Sequence, residues 1–407
     1  MKIGLLGRKL GHSYSPQIHS LLGNNNYALF EKEPEELEQF LLYGDFDAIN
    51  VTTPYKKAVI PYCKLTSIAE KLGAVNTIVR QTDGNLLGHN TDYYGFLSML
   101  KHFGVDPSGK KCLVLGTGGA SVTATAVLQE LGAETIVISR SGENNYQNIS
   151  AHHDAAFICN CTPVGMYPNN GEAPVELAQF KQLEFVVDLI YNPAKTKLLL
   201  DAEKHNIPNC NGLWMLVAQA KEASEWFYNT ALPEECIAPI YRSLQRQMEN
   251  IILIGMPGCG KSTVGKLLAE TLGKTFVDAD AALTDTYNTT IEKIFSQEGE
   301  AGFRQKETAV LSDLGKCSGL VIATGGGCVT RPENYPLLHQ NGLIIALDRD
   351  ISKLPTDGRP LSQANALSKL HQQRAPLYRQ FADVWVDNNE TPAQTLSTIL
   401  KLLEETL

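Results

Sequence analysis

The sequence predicts an α/β protein with parallel sheets, and its 407 residues suffice for two or three domains. Three observations carry this reading. Short apolar runs alternate with amphipathic stretches from end to end. Most of the runs end in Gly, Thr, Asn or Asp, residues that open turns. Two glycine-rich turns, "GTGGAS" from Gly116 and "GMPGCGKST" from Gly255, each follow an apolar run and precede a helical pattern.

The elements follow in order. "MKIGLLG" and "DAINVTT" read as strands, with the amphipathic "PEELEQFLLYG" between them. "KCLVLGT", "TIVISR", "FICNCT" and "FVVDLIY" form a second strand series, and "SVTATAVLQELGA" is a helix beginning near Ser121. "IILIG", "LVIATGGG" and "GLIIALD" form a third. The turn-rich stretch Gly104 to Lys110 marks one boundary. The polar stretch Arg242 to Asn250 marks another, read as the end of a helix running into the next domain. In such sheets ligands collect where strands end and helices begin, and the polar motifs fall there.

Composition excludes several classes. Hydrophobic residues make up 43% and charged residues 19%, as in ordinary globular proteins. The net charge of −9, without a basic run, argues against nucleic acid as a partner. No apolar run approaches the roughly 20 residues that cross a bilayer. The opening stretch, broken by Gly7, Arg8 and Lys9, is too short and too charged for a signal peptide. A cytoplasmic protein is expected. The nine cysteines lack framework or zinc spacing, and the pair Cys159 and Cys161 is C-x-C, so reduced thiols are expected. His152 and His153 have no further ligands nearby and are expected on the surface.

The second glycine turn fits the pattern G-x-x-x-x-G-K-S, from Gly255 to Ser262. Its glycines, Gly258 and Gly260 among them, let backbone N–H groups turn onto phosphate oxygens at a helix N-terminus. Lys261 is placed to reach the terminal phosphates, Ser262 to hold Mg²⁺, and Thr263 follows. Downstream, "FVDAD" places Asp278 and Asp280 at alternate positions on a strand end, with both carboxylates pointing one way. Arg304 and Glu307 share one helix face. Gly325, Gly326 and Gly327 form another turn, "GRPLS" contains Arg359, and "RAPLY" contains Arg374.

On these motifs, the stretch from about Asn250 to Leu407 resembles shikimate kinase. The resemblance implies that Asp278 lies near Mg²⁺, and that Asp280 binds substrate hydroxyls and orients the nucleophile. It gives Arg304 and Arg374 the substrate carboxylate, the glycine turn the wall of the substrate pocket, and Arg359 the lid over the phosphates. Two arginines and an acceptor carboxylate suit a polyhydroxy acid. The segment before Arg359 is short and lacks an arginine-rich stretch, and Gln380 stands near the place of an expected Glu.

In the first half, "GHSYSPQIHS" places Ser13 and Ser15 two apart on an extended segment after the first strand. "NVTTPYK" adds Asn50, Thr52 and Lys56; "GAVNTIV" adds Asn76; "GHNTDYYG" adds Asn90, Thr91 and Asp92. Small hydrogen-bonders with one Lys and one Asp suit proton transfer at a carbonyl oxygen. The turn Gly116, Gly118, Gly119, Ala120 is a variant dinucleotide fingerprint, with Ser121 at its third glycine position. The next strand ends in Ser139, Arg140 and Ser141 where an NAD enzyme carries an acid, which favours NADP.

Together with "NGLWMLVAQA", these motifs resemble shikimate dehydrogenase over about residues 1 to 245. The resemblance makes Lys56 the catalytic lysine beside Asp92. It gives Ser13, Ser15, Thr52, Asn76, Asp92 and Gln219 to the substrate, with Tyr191 and Gly212 lining the cleft. It implies a discontinuous substrate domain, 1–103 with 213–245, around a Rossmann NADP domain, 104–212, followed by a P-loop kinase domain, 250–407. Asn144 stands where a second arginine is often found, and Trp214 replaces a glycine, which is expected to narrow the nicotinamide end of the cleft.

The two halves converge on one metabolite. NADP(H) serves reduction of 3-dehydroshikimate to shikimate, and ATP with Mg²⁺ serves its phosphorylation to shikimate 3-phosphate. The alternative is a quinate/shikimate dehydrogenase whose C-terminal domain binds a nucleotide for regulation without kinase activity. Partners are small-molecule substrates, without nucleic acid or membrane, in a monomer or homodimer.

Overall fold

The computed structural model describes residues 1–11, 13–354 and 364–405. Arg359 lies outside the described residues. The chain divides into two compact units, one of 1–165, 172–191 and 201–243, the other of 166–171, 192–200 and 244–407.

The first unit begins with β1 (Ile3–Gly7), α1 (Ser15–Leu21), β2 (Tyr27–Glu31), α2 (Leu37–Tyr43) and β3 (Ala48–Val51). β4 (Cys63–Leu65), α3 (Ser67–Leu72), β5 (Thr77–Arg80), β6 (Leu86–His89) and α4 (Asp92–His102) follow. The sheet order is β2-β1-β3-β5-β6-β4. Parallel sheets were expected, but this one is mixed, because β5 runs antiparallel to both neighbours. The cause is local. Asp83 and Gly84, the latter at φ +87°, turn the chain between β5 and β6, and Asp83 accepts from the Asn85 backbone N–H.

A second sheet holds β7 (Lys111–Leu115), β8 (Glu134–Ile138), β9 (Phe157–Asn160), β10 (Phe185–Asp188) and β11 (Asn209–Asn211). Its order is β11-β10-β9-β7-β8, all parallel. α5 (Gly119–Glu130) crosses from β7 to β8, and α6 (Lys197–Lys204) precedes β11. α5 starts at Gly119, two residues before the expected start, so the glycine turn itself forms the helix N-terminus. α7 (Leu213–Tyr228) then returns to the first sheet. Its Ala223 and Phe227 are buried among Ile3, Leu5 and Ala48. Burying a Phe is worth about 1.5–3 kcal/mol, which fastens this return. α8 (Ile237–Met248) follows.

The second unit has a five-stranded parallel sheet of order β13-β14-β12-β15-β16. In chain order it runs β12 (Asn250–Ile254), α9 (Lys261–Leu272), β13 (Thr275–Asp278), α10 (Ala279–Tyr287), α11 (Ile291–Lys316) and β14 (Leu320–Ala323). α12 (Asn334–His339), β15 (Gly342–Asp348), α13 (Ala364–Phe381), β16 (Val384–Asp387) and α14 (Pro392–Glu405) complete it. β12 is buried at every position, as its unbroken apolar run requires of a parallel strand covered on both faces. Among the described residues no helix is long and apolar enough to cross a membrane.

Candidate active sites

In the first unit a cavity of about 580 Å³ opens at the C-terminal ends of β1 and β3. Ser13, Ser15, Thr52, Lys56, Asn76, Asp92, Tyr191, Gly212 and Gln219 all line it. Ser15 is the first residue of α1, so the serine pair sits at a loop-to-helix junction and not on an extended segment. The Ser15 N–H donates to Ser13 Oγ at 3.2 Å. Lys56 Nζ lies 2.6 Å from Asp92 Oδ2. Their side chains are 30% and 14% exposed, so the pair faces the cavity without being sealed from water.

Behind this pair the polar groups hold one another. Asn76 Oδ1 accepts from the Thr91 N–H at 2.8 Å, and Asn90 Oδ1 accepts from the Asp92 N–H at 3.0 Å. These bonds fix the start of α4 and with it Asp92. Buried Asn50 is tied to Tyr27, His19 and Thr77. His19 is stacked on Tyr27, and burial pushes its pKa down to about 4 despite its bond to Asn50. Two features went unread in the sequence. Lys9 lines the cavity, and Tyr14 packs edge-on against the lining residue Tyr191 with ring centroids 6.2 Å apart. Burial raises the phenol pKa of both tyrosines.

Ala120, in the first turn of α5 after the glycine turn, borders the same cavity. Ser121 Oγ donates to the Gly116 carbonyl at 2.6 Å and ties the turn from inside. A side chain at Gly118 or Gly119 would meet no atom within 4 Å, so the mouth of the turn is open. Ser139 Oγ accepts from the Gly142 N–H at 2.7 Å, which leaves Arg140 and Ser141 as the exposed groups at the end of β8. Asn144 Oδ1 is bonded to His152 Nε2 at 3.0 Å.

Two expectations are corrected here. His152 and His153 are half-buried and not surface residues, because His152 is held by Asn144 and His153 packs on Phe180. Trp214 does not narrow the cleft. It is 7% exposed, stacks on His102 at 3.4 Å between ring centroids, and donates from Nε1 to Ser98 Oγ. Its neighbours Met215 and Leu216 line the cavity instead.

In the second unit the phosphate loop joins β12 to α9. Gly255, Gly258 and Gly260 have φ of +141°, +83° and +103°, a region that side chains disfavour. Lys261 is 8% exposed, and its Nζ donates to the carbonyls of Gly255 and Met256. Ser262 and Thr263 are exposed on the first turn of α9. Ser262 Oγ donates to Asp278 Oδ2 at 2.7 Å.

Asp278 and Asp280 are not alternate residues of one strand. Asp278 ends β13 and caps α10, and Asp280 lies inside that helix. Asp278 Oδ1 accepts from the N–H groups of Asp280 and Ala281. The carboxylates therefore part, Asp278 toward Ser262 and Asp280 toward the turn after β14. A Cβ on Gly325 would lie 2.8 Å from Asp280 Oδ1 and 2.7 Å from Glu307 Oε1. A Cβ on Gly327 would collide with the Arg304 guanidinium. Arg374, 7% exposed, donates to the Gly326 carbonyl at 2.9 Å, and Tyr378 donates to the same oxygen.

Arg304 and Glu307 are paired at 2.7 Å. Burial raises the Glu307 pKa, with Arg304 opposing it. Arg304 Nε and Glu307 Oε1 are buried without a hydrogen-bond partner. Polar atoms stranded at a cluster of arginines and glycines mark a place for a polar ligand. The R-x-x-E spacing is the sequence signal that Glu307 belongs here, and the Tyr of "PLY" is the signal for Tyr378.

Comparison with known proteins fits both sites. A shikimate dehydrogenase from Clostridium perfringens is 35% identical over 266 residues, which cover 60% of this chain and 97% of that protein. The chain belongs to the shikimate dehydrogenase family. A second relative, the shikimate dehydrogenase of Caldanaerobacter subterraneus, is 37% identical over 249 residues, 54% of this chain and 89% of that one. The model of the shikimate dehydrogenase substrate binding domain matches residues 5–78, and the shikimate kinase model matches residues 257–404. The dehydrogenase is thus joined to a shikimate kinase domain in one bifunctional chain. Among solved structures, a chorismate mutase/shikimate 5-dehydrogenase fusion protein from Clostridium acetobutylicum aligns with a TM-score of 0.56 and 36% identity, covering 60% of this chain and 96% of that one. The Thermus thermophilus shikimate 5-dehydrogenase in complex with NADP(H) and shikimate aligns with a TM-score of 0.54 and 28% identity, covering 59% and 98%.

Proposed function

We propose that the first unit reduces 3-dehydroshikimate to shikimate and that the second phosphorylates shikimate to shikimate 3-phosphate. The supporting observation is that each unit gathers a distinct reactive group, the Lys56–Asp92 pair in one and the Lys261 phosphate loop in the other. We assign 1–103 with 213–245 to the first substrate, 104–212 to NADP and 250–407 to the kinase.

In the dehydrogenase, Ser13 and Ser15 hold the substrate carboxylate. Thr52, Asn76, Gln219 and Tyr191 bind its hydroxyls, and Gly212 lines the cleft. NADPH supplies the hydride when bound along Gly116, Gly118, Gly119 and Ala120, with Arg140, Ser139 and Ser141 at its 2′-phosphate. The residues suit that group, for the turn is open at Gly118 and Gly119 and Arg140 is exposed. Lys56 donates a proton to the carbonyl oxygen as negative charge develops there. Asp92 orients the ammonium and keeps its charge compensated.

In the kinase, ATP with Mg²⁺ supplies the phosphoryl group. Gly258, Gly260, Lys261, Ser262 and Thr263 hold the nucleotide, together with Arg359. Ser262 and Asp278 hold the metal, and a hydroxyl beside a carboxylate suits a hard cation. Arg304 and Arg374 grip the shikimate carboxylate against Gly325, Gly326 and Gly327. Asp280 orients the attacking hydroxyl and accepts its proton. Catalysis is then mostly positioning and charge neutralisation. The chain acts as a cytoplasmic enzyme on small molecules, as a monomer or homodimer.

The test is product analysis by mass spectrometry. The protein receives 3-dehydroshikimate, NADPH, Mg²⁺ and either ATP or no nucleotide. Shikimate without ATP and its phosphate with ATP are expected. Shikimate in both reactions would refute the kinase assignment alone.

A further inference from the structure

A smaller cavity of about 110 Å³ lies beside the phosphate loop, and the roles above do not use it. Gly255 and Met256 of that loop line it, with Arg349 just past β15, His371 and Arg379 on α13, and Trp385 on β16. Arg349, His371 and Arg379 make no hydrogen bond or ion pair among the described residues, and Arg349 Nε is buried without a partner. Among the described residues Asp348 is the one carboxylate at the lining; it is exposed, as is Arg379, while Arg349 and His371 are half-buried.

The size restricts the occupant. At about 110 Å³ the cavity is small and has room for a phosphoryl group. Two guanidiniums and an imidazole around such a space select an anion. The planar arginine fork matches phosphate oxygens. Arg349 also reaches the far end of the phosphate loop, for its Nη1 is 3.8 Å from the position of a Cβ on Gly260. Between Lys353 and Arg359 the sequence contains no Lys or Arg, so that stretch adds no cation of its own.

We propose that Arg349 and Arg379 form an anion subsite that takes a phosphoryl group of the bound nucleotide. The assignment rests on the kinase reading and adds to it two cations, one just past β15 and one on α13, which reinforce Lys261 and the metal.

The experiment uses the full-length protein and its R349Q, R379Q and doubly substituted variants. Binding of ADP with Mg²⁺ is measured by calorimetry, and the KM for ATP is measured with saturating shikimate. Loss of one charge-assisted contact is expected to weaken ADP about tenfold or more per arginine. The shikimate KM and NADPH-dependent reduction should stay unchanged, which also reports an intact fold. Lysine at both positions keeps charge without the fork and should recover part of the affinity. Orthophosphate should compete with ADP in the wild type. Orthophosphate binding alongside ADP would place the anion outside the nucleotide and overturn the proposal. So would unchanged ADP affinity in the double variant when the wild type binds ADP and phosphorylates shikimate. A wild type that binds no ADP would instead overturn the kinase reading, and this assignment with it.

Discussion

Replacing Lys56 by alanine removes the proposed proton donor, which among the described residues of the cavity is the lysine held by a carboxylate. Its ammonium lies 2.6 Å from Asp92, close enough for that carboxylate to fix its direction. A positioned proton donor contributes about 10²–10⁴ in rate. At about 1.4 kcal/mol per decade this is roughly 3–5 kcal/mol of transition-state stabilisation. The fold should lose far less. Lys56 is 30% exposed, so the pair is partly screened, and its removal should cost about 1 kcal/mol or less. The assay follows loss of NADPH absorbance with 3-dehydroshikimate, and in parallel the phosphorylation of added shikimate. The expected result is a kcat at least 100-fold lower with phosphorylation within about twofold of wild type. Lys56→Arg separates charge from proton transfer, because a guanidinium remains protonated and is a poor donor. It should stay within about tenfold of the alanine variant. A Lys56→Ala enzyme with a tenth or more of wild-type kcat would refute the proton-donor role.

Other expectations are as direct. Lys261→Met should lower phosphorylation by about 10²–10³ and leave reduction intact, read in the same two assays. Gly327→Ala should raise the shikimate KM of the kinase at least about tenfold, since the new methyl displaces the Arg304 guanidinium that would hold the substrate. Trp214→Ala should cost about 3–5 kcal/mol in denaturant unfolding and leave the NADPH KM unchanged, because the indole packs on His102 and not in the cleft. The buried His19 gives a pH dependence. Its folded pKa, about 4, lies below the ordinary 6.5, so the unfolded chain binds the extra proton and stability falls as pH drops from 6.5 toward 4. Between pH 7 and pH 5 this amounts to about 2 kcal/mol, and His19→Gln should remove that part of the pH slope in urea titrations.

Much of this was legible in the sequence because the chemistry requires specific residues at fixed spacing. A phosphate loop needs its glycines and lysine in register, and the Lys56–Asp92 pair is marked by two polar motifs, each placed at a strand end. What escaped depended on three-dimensional partners. The antiparallel β5 was announced by Asp83-Gly84, but its flanking runs are only four residues long and read weakly beside the parallel strands. Asp280 looked like a strand residue because D-x-D has strand spacing. The competing factor was the Asp278 side chain, which caps the backbone two and three residues on and starts a helix there. Trp214 was judged by position within a motif, whereas its direction is set by His102 and Ser98, distant in sequence. Glu307 was marked by its spacing from Arg304, but its close approach to the glycine turn, and the bond of Tyr378 to the Gly326 carbonyl, became visible only in the fold.

The two glycine loops differ as their chemistry demands. A hydride carrier leaves the site with its phosphates intact, so its loop needs only N–H donors and a helix end, and the cation proposed to select it, Arg140, stands apart at the end of β8. A phosphoryl donor must be held while charge builds on the group in transit. The second loop therefore keeps Lys261 inside it, bonded to its own carbonyls, so the loop is shaped before the phosphates arrive. The same contrast explains the acids. In the proposed roles Asp92 needs only to support one ammonium, whereas Asp278, bonded to Ser262, and Asp280, beside Gly325, diverge to serve the metal and the substrate separately. A single shared carboxylate could not serve both ends of an in-line transfer. The cap that Asp278 places on α10 is thus what separates the two roles.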